Sequence, residues 1–231
     1  MFSLSITSCK RPDLFEKTIN SLRQNCLEFG LINEVVWADD HSSEIEFSAM
    51  EATLGAAFRH SNDVKFKVLH NTSENKGLYY GLNFILDNVT NQYCLHIEDD
   101  WLFLNPKRHL FLSEAAILMS EVPEAIQVLF NKRPMFDTYW GRFSSIPYHL
   151  WQKGEANDGQ IVNHPGFTLN PSLIDWRYIH KNYGYFKPVG TEGSFSEELY
   201  NDGFRTITSN ETYIQHIGAD ISSFILNNTN R

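Results

Sequence analysis

Short apolar runs alternate with helix-length amphipathic stretches through the first half of the chain, and this alternation restricts the fold more than any other feature. Phe2 to Ser8 reads as a strand. Pro12 and Asp13 then open a helix carrying Leu14, Ile19, Leu22 and Cys26, a favourable place for proline because its missing N–H is an orphan there anyway. Glu34 to Ala38 is a second strand, followed by a helix to about Phe58; Val64 to His70 is a third. Asn75-Lys76-Gly77 starts a helix with Leu78, Leu82, Ile85, Leu86 and Val89 at helical spacing, and Tyr93 to Ile97 is the fourth strand. Strands joined through helices require right-handed crossovers and give a mainly parallel sheet covered on both faces. The expected class is α/β, with helices flanking that sheet.

The fourth strand runs straight into three carboxylates, Glu98, Asp99 and Asp100. Adjacent like charges repel, so such a cluster makes sense when a divalent cation and phosphate oxygens complete it. With 28 acidic residues in 231, a triple also arises by chance in many chains. Its position carries the weight. In parallel sheets ligands sit beyond the carboxyl ends of the strands. Thr7, Ser8 and Arg11 follow the first strand and Asp39, Asp40 and Ser42 the second, so three strand ends deliver polar groups to the rim that holds the triple.

Composition removes several classes of function. A net charge of -9 leaves no basic stripe to neutralise phosphates, so nucleic acid is not an expected partner. No apolar run is long enough for a transmembrane segment, and the N-terminus lacks the pattern of a secretory signal. Cys9, Cys26 and Cys94 are odd in number and widely spaced, which points to a reducing, cytoplasmic location and away from a disulfide framework or zinc site. The second half is less regular: a helix over Lys107 to Ser120, a strand near Ala125 to Phe130, then a long stretch from Asn131 to His164 rich in aromatics. Stretches of that length inside a compact domain are commonly functional. Neither a repeat nor a linker divides the chain.

Four segments in this order resemble the nucleotide-sugar half of GT-A glycosyltransferases: Thr7-x-x-x-Arg11-Pro12, Val35-Val36-Trp37-Ala38-Asp39-Asp40-His41-Ser42-Ser43, Asn75-Lys76-Gly77-Leu78-Tyr79-Tyr80-Gly81-Leu82-Asn83 and Ile97-Glu98-Asp99-Asp100. The resemblance is to family-2-like and N-acetylglucosaminyltransferase-like inverting enzymes; it covers residues 1–105 well and continues loosely to Gly218. It implies a single GT-A, Rossmann-like domain over 1–231, with 1–105 binding the donor and the irregular part, 106–231, binding the acceptor and supplying the base. It implies a sugar transferred from a nucleoside-diphosphate donor, UDP before GDP or dTDP, to a glycan or other hydroxyl acceptor. Thr7 and Arg11 would line base and diphosphate, Asp39 or Asp40 would accept from the base N–H, and Asn75 and Gly77 would border the ribose. Glu98-Asp99-Asp100 would be the DxD motif, with Asp99 near ribose or metal and Asp100 ligating Mn²⁺ or Mg²⁺.

The family's base motif ends in Leu-x-x-x-Gly, reproduced by Leu199 to Gly203; seven places before Leu199 stands Glu192, with Thr191 where the family has an acid. Glu197 and Glu198 on the same expected helix are rivals, and a solvated carboxylate at a helix start is the plain alternative for Glu192. His216, in His-Ile-Gly, resembles a further metal ligand; a structural histidine in an apolar strand is the other reading. Gly166 to Pro171 resembles an acceptor-side segment ahead of a helix starting at Ser172. Tyr139, Trp140, Tyr148 and Trp151 offer stacking surfaces or core packing, and Lys132 and Arg133 either reach the diphosphate or stay solvated. Two other functions fit an acidic α/β rim. One is a nucleotidyltransferase that makes nucleotide sugars, although Thr7 to Arg11 lacks that class's glycine-rich loop. The other is a sugar-binding module without catalysis.

Overall fold

The computed structural model describes residues 1–61, 63–104, 110–131, 138–139, 148–155, 161–163, 165–187, 192–208 and 211–218. The first half follows the expected alternation: β1 (Phe2–Ser8), α1 (Pro12–Asn25), β2 (Ile32–Asp40), α2 (Glu44–Phe58), β3 (Lys65–Asn71), α3 (Leu78–Asn88) and β4 (Cys94–Glu98). Then come β5 (Trp101–Phe103), α4 (Phe111–Glu121), β6 (Ala125–Leu129), β7 (Thr138–Tyr139), β8 (Tyr148–Leu150), β9 (Gly154–Glu155), β10 (Ile161–Val162), β11 (Ser172–Ile174), α5 (Trp176–Tyr183), α6 (Glu192–Asn201), β12 (Arg205–Thr208) and β13 (Ile214–His216).

Nine strands form one sheet in the order β3-β2-β1-β4-β11-β6-β12-β8-β7, so both halves of the chain contribute to it. β11 and β8 run against the rest, which keeps the sheet mainly parallel. Both of its faces are covered, so along β1 the apolar set Phe2, Leu4 and Ile6 and the polar set Ser3, Ser5 and Thr7 are buried alike. Along β2, Val35 and Trp37 pack with α1, α2 and α4 on one side, and Val36 packs with α3, α5 and α6 on the other. All seven residues of β1 are buried. Local signals set the helix starts. Pro12 occupies the first turn of α1, and Ser43 with Glu46 forms a full capping box at α2. Gly77, at φ 83, makes the left-handed turn into α3.

The expected helix from Ser172 is a correction: Ser172–Ile174 is a strand lying antiparallel between β4 and β6. Leu173 and Ile174 are fully buried there, and sheet pairing from both sides outweighs helix propensity. The helix begins after Asp175, whose carboxylate accepts from the Tyr178 amide at 2.8 Å. Among the described residues, no helix is long and apolar enough to cross a membrane.

Candidate active site at the carboxyl rim of the sheet

The parallel register aligns Thr7 with Ala38 and Glu98, and Ser8 with Asp39, so the ends of β1, β2 and β4 lie level. Beyond them opens a cavity of about 260 Å³. Thr7 and Ala38 line it from the strands, Asn75, Gly77, Leu78 and Gly81 from α3 and the loop before it, and Glu98 and Asp99 from β4 and the turn after it. Gly81 lets α3 come close: a Cβ there would lie 3.2 Å from the Ala38 Cβ.

Asp39 and Asp40, adjacent in sequence, have separate duties because successive strand residues point to opposite sides. Asp39 is 1% exposed and lies behind the cavity wall. It accepts from the Ser8 and Ser42 hydroxyls at 2.7 Å each and from the Ser42 amide at 3.2 Å. Trp37 Nε1 donates to Ser8 at 2.8 Å and the Lys10 amide to Ser42 at 2.8 Å, so this knot ties the loop after β1 to the loop after β2. Burial pushes the Asp39 carboxyl up against those bonds. Asp40 faces the cavity. Its carboxylate accepts from Asn71 Nδ2 at 2.7 Å and from the Lys76 and Gly77 amides at 3.1 and 2.6 Å, fixing the Asn75–Gly77 loop. Asp39 therefore shapes the rim and Asp40 lines it.

The acidic triple is crowded and dry. Asp99 accepts from the Cys9 amide at 3.2 Å and from Arg11 Nε at 3.3 Å, and also pairs with Arg11 Nη2. Arg11 Nη1 donates to Asp100 Oδ2 at 2.7 Å. Sequence reasoning assigned Arg11 to base and diphosphate; the structure places it at the cavity wall with its guanidinium on these two acids. Burial pushes Asp99 up to about 7, with Arg11 pulling down and Asp100 pushing up. Glu98 also rises to about 7, through burial and then the charges of Asp100 and Asp99. The Cys9 thiol, another wall residue, is pushed to about 11 by burial and nearby carboxylates, which removes it as a thiolate nucleophile near neutral pH.

β13 pairs with β5 so that His216 lies opposite Trp101, and His216 Nε2 stands 3.2 Å from Asp100 Oδ2. Asp100 Oδ1 is buried without a hydrogen-bond partner. A Cβ on Gly218 would collide with the Asp100 carboxylate, so that glycine keeps space beside it. Among the described residues no three or more ligating side chains converge. A hard divalent ion nevertheless fits a carboxylate with an unused oxygen beside an imidazole, because such ions take few protein ligands and fill their shell with water and phosphate oxygens.

Of the three carboxylates on α6, Glu192 is carried to this rim. β11 runs against β4 with Ser172 opposite His96, so the residues leading into β11 arrive beyond the carboxyl end of β4. There the Leu169 amide donates to Glu192 Oε2 at 3.2 Å. Tyr79, in the first turn of α3 beside the cavity residue Leu78, adjoins it; burial and the Glu192 charge push its phenol up. Glu197 pairs with Lys153 Nζ at 2.5 Å, and Glu198 is exposed on a separate aromatic cleft with Tyr79, Tyr183 and Phe186. Tyr148 and Trp151 are 4% and 7% exposed and belong to the interior. Trp140, Lys132, Arg133 and the Tyr139 side chain lie outside the described residues. Sequence reasoning missed the Arg11 bridge to both acids and the clearance at Gly218; the His216-Ile217-Gly218 triplet was the available signal for the second.

No family model and no curated protein matches the chain by sequence. Solved structures do match in three dimensions. The mannosyltransferase PcManGT from Pyrobaculum calidifontis, in complex with GDP-Man and Mn²⁺, gives a TM-score of 0.61 at 17% identity over 91% of this chain and 55% of its own. S. aureus TarS 1–349 in complex with UDP-GlcNAc gives 0.62 at 15% identity over 95% of this chain and 61% of that one. GalNAc-T7 with UDP, GalNAc and Mn²⁺ gives 0.62 at 12% identity over 94% and 44%. The chain thus spans 44–61% of the length of these three proteins. At these identities the likeness is one of fold, and that fold is the GT-A glycosyltransferase fold.

Proposed function

We propose that the protein is a metal-dependent glycosyltransferase that moves a sugar from a nucleoside-diphosphate donor to a hydroxyl acceptor with inversion. The observation that carries this reading is the cavity at the ends of β1, β2 and β4, walled by Asp40, Glu98 and Asp99, with Asp100 and His216 next to it. In this reading residues 1–105 bind the donor and residues 106–231 supply the base and receive the acceptor. UDP is the preferred nucleotide, in line with the uridine ligands of TarS and GalNAc-T7, although PcManGT holds GDP-Man.

Thr7, Asp40, Asn75 and Gly77 hold the nucleoside, with backbone close to the ligand at Gly77. Asp100 and His216 hold Mn²⁺ or Mg²⁺, and Asp99 and Glu98 complete the acidic wall. The bound ion, a Lewis acid, supplies stabilisation for negative charge developing on the departing diphosphate. Glu192 takes the proton from the attacking acceptor hydroxyl, and its bond from the Leu169 amide fixes where that carboxylate points.

Thermal-shift titration with UDP-, GDP- and dTDP-sugars, with and without Mn²⁺, tests the proposal, because a ligand of the native state raises its melting temperature. A rise that needs both nucleotide and metal is expected. If no nucleoside diphosphate stabilises the protein in a metal-dependent way, the reading fails.

A further inference from the structure

We propose that Arg11 is the resting counter-cation of the Asp99–Asp100 pair, and that it holds a divalent metal off Asp100 until a nucleoside diphosphate enters the cavity. This rests on the metal site of the preceding section and adds a condition on its filling. The side chains of Arg11, Asp99 and Asp100 are 10%, 0% and 7% exposed. Two adjacent carboxylates this dry are costly unless a cation meets them. The Arg11 fork spans both: Nε and Nη2 on Asp99, Nη1 on Asp100 Oδ2.

The conflict with a metal is geometric. Asp100 Oδ2 faces His216 Nε2, and Arg11 Nη1 takes this same oxygen at 2.7 Å. The other oxygen, Oδ1, is buried with no partner. The carboxylate is therefore doubly used on one oxygen and unused on the other, and a metal held between Asp100 and His216 must compete with Arg11 for Oδ2. Arg11 also lines the cavity, where incoming phosphate groups offer its planar fork an equivalent anionic partner. Once the guanidinium turns to the diphosphate, the Asp100–His216 edge opens, and phosphate oxygens are at hand for the rest of the metal's shell. By linkage, metal and nucleotide then strengthen each other's binding by the same factor.

Mn²⁺ titrations followed by the EPR signal of the free ion, on the full chain with and without UDP, provide the test. The wild type is expected to bind Mn²⁺ weakly alone and about tenfold or more tightly with UDP. Arg11→Met is expected to bind Mn²⁺ alone about tenfold more tightly than the wild type, with most of the UDP dependence gone. Adding Asp100→Asn should abolish that gain. Arg11→Lys keeps a charge but cannot span two carboxylates, so it should fall in between, and it serves if the Met variant does not fold. UDP-dependent Mn²⁺ binding in the wild type, with metal-only affinity unchanged in both Arg11 variants, overturns the inference while leaving the glycosyltransferase reading intact. If none of UDP, GDP and dTDP changes melting temperature or Mn²⁺ affinity, whatever residue stands at position 11, both fall.

Discussion

Two buried acidic sites sit at opposite ends of the same strands, and they are built in opposite ways. At the amino end of β2, Glu34 accepts from Ser3 Oγ at 2.5 Å, the Thr90 amide and hydroxyl at 2.8 Å each, and Lys67 Nζ at 2.9 Å. Burial pushes its carboxyl up, yet these bonds outweigh burial and bring it down to about 2. At the carboxyl ends, Glu98 and Asp99 stand at about 7, and Asp100 keeps a buried oxygen with no partner. The Ser3–Glu34 pair and the Ser8–Asp39 pair mark the two ends of one register, five residues apart along each strand. The chain can therefore saturate a buried carboxylate where only stability is needed. The carboxylate it leaves unsaturated lies on the rim that parallel sheets give to ligands, which is where the proposed function places a cation and phosphate oxygens.

Substitutions should separate the two ends. The largest effect is expected from Asp100→Asn, which keeps the shape and removes the charge. On the proposed function it lowers sugar transfer about 10³-fold, the scale of losing one main electrostatic contact to the leaving group. Its melting temperature should not fall, because the change also relieves like-charge crowding. Steady-state transfer assays with the most stabilising nucleotide sugar, together with calorimetry, check this; a variant that unfolds while the residual folded protein stays active would make Asp100 structural. Next comes Glu192→Gln, expected to lower kcat by about 10²–10³-fold with donor affinity and melting temperature unchanged. Wild-type turnover in that variant would remove Glu192 as the base and return attention to Glu197 and Glu198.

Sequence patterns registered the two ends unequally. β1 was legible to the residue, since an apolar run stopped by Cys9-Lys10-Arg11 has one boundary on each side. The convergence of strand ends on one rim followed from α/β topology alone, and Thr7, Asn75, Gly77, Glu98 and Asp99 line the resulting cavity. β11 was not legible. Three residues show no period, and what makes Ser172–Ile174 a strand is pairing with β4 and β6, remote in sequence. Nor does order along the chain say which of Asp39 and Asp40 faces the ligand, because the pleat decides it. The Arg11 clamp joins residues separated by 88 and 89 positions, and the Glu34 site likewise draws its partners from Ser3, Lys67 and Thr90. Local chemistry announces a carboxylate; only the tertiary fold says whether it is satisfied.

The stability of the satisfied end is the smaller effect and gives the sharper test. A folded-state value of about 2 against an ordinary 4.5 means that Glu34 stabilises the fold as a carboxylate. By linkage this amounts to on the order of 3 kcal/mol. The contribution is fully present above about pH 4.5 and disappears as pH falls towards 2, because the unfolded chain takes up the proton first. Glu34→Gln should then cost roughly 2–3 kcal/mol at pH 7, since Lys67 loses its ion pair and the amide cannot accept four bonds. Urea unfolding at pH 7 and again near pH 2 measures both limbs. The gap between wild type and variant should shrink steadily through the acid window and close at its lower end. A gap that persists unchanged at pH 2 would show that Glu34 acts through shape and not charge, and the contrast between a saturated and an unsaturated carboxylate end would lose its electrostatic basis.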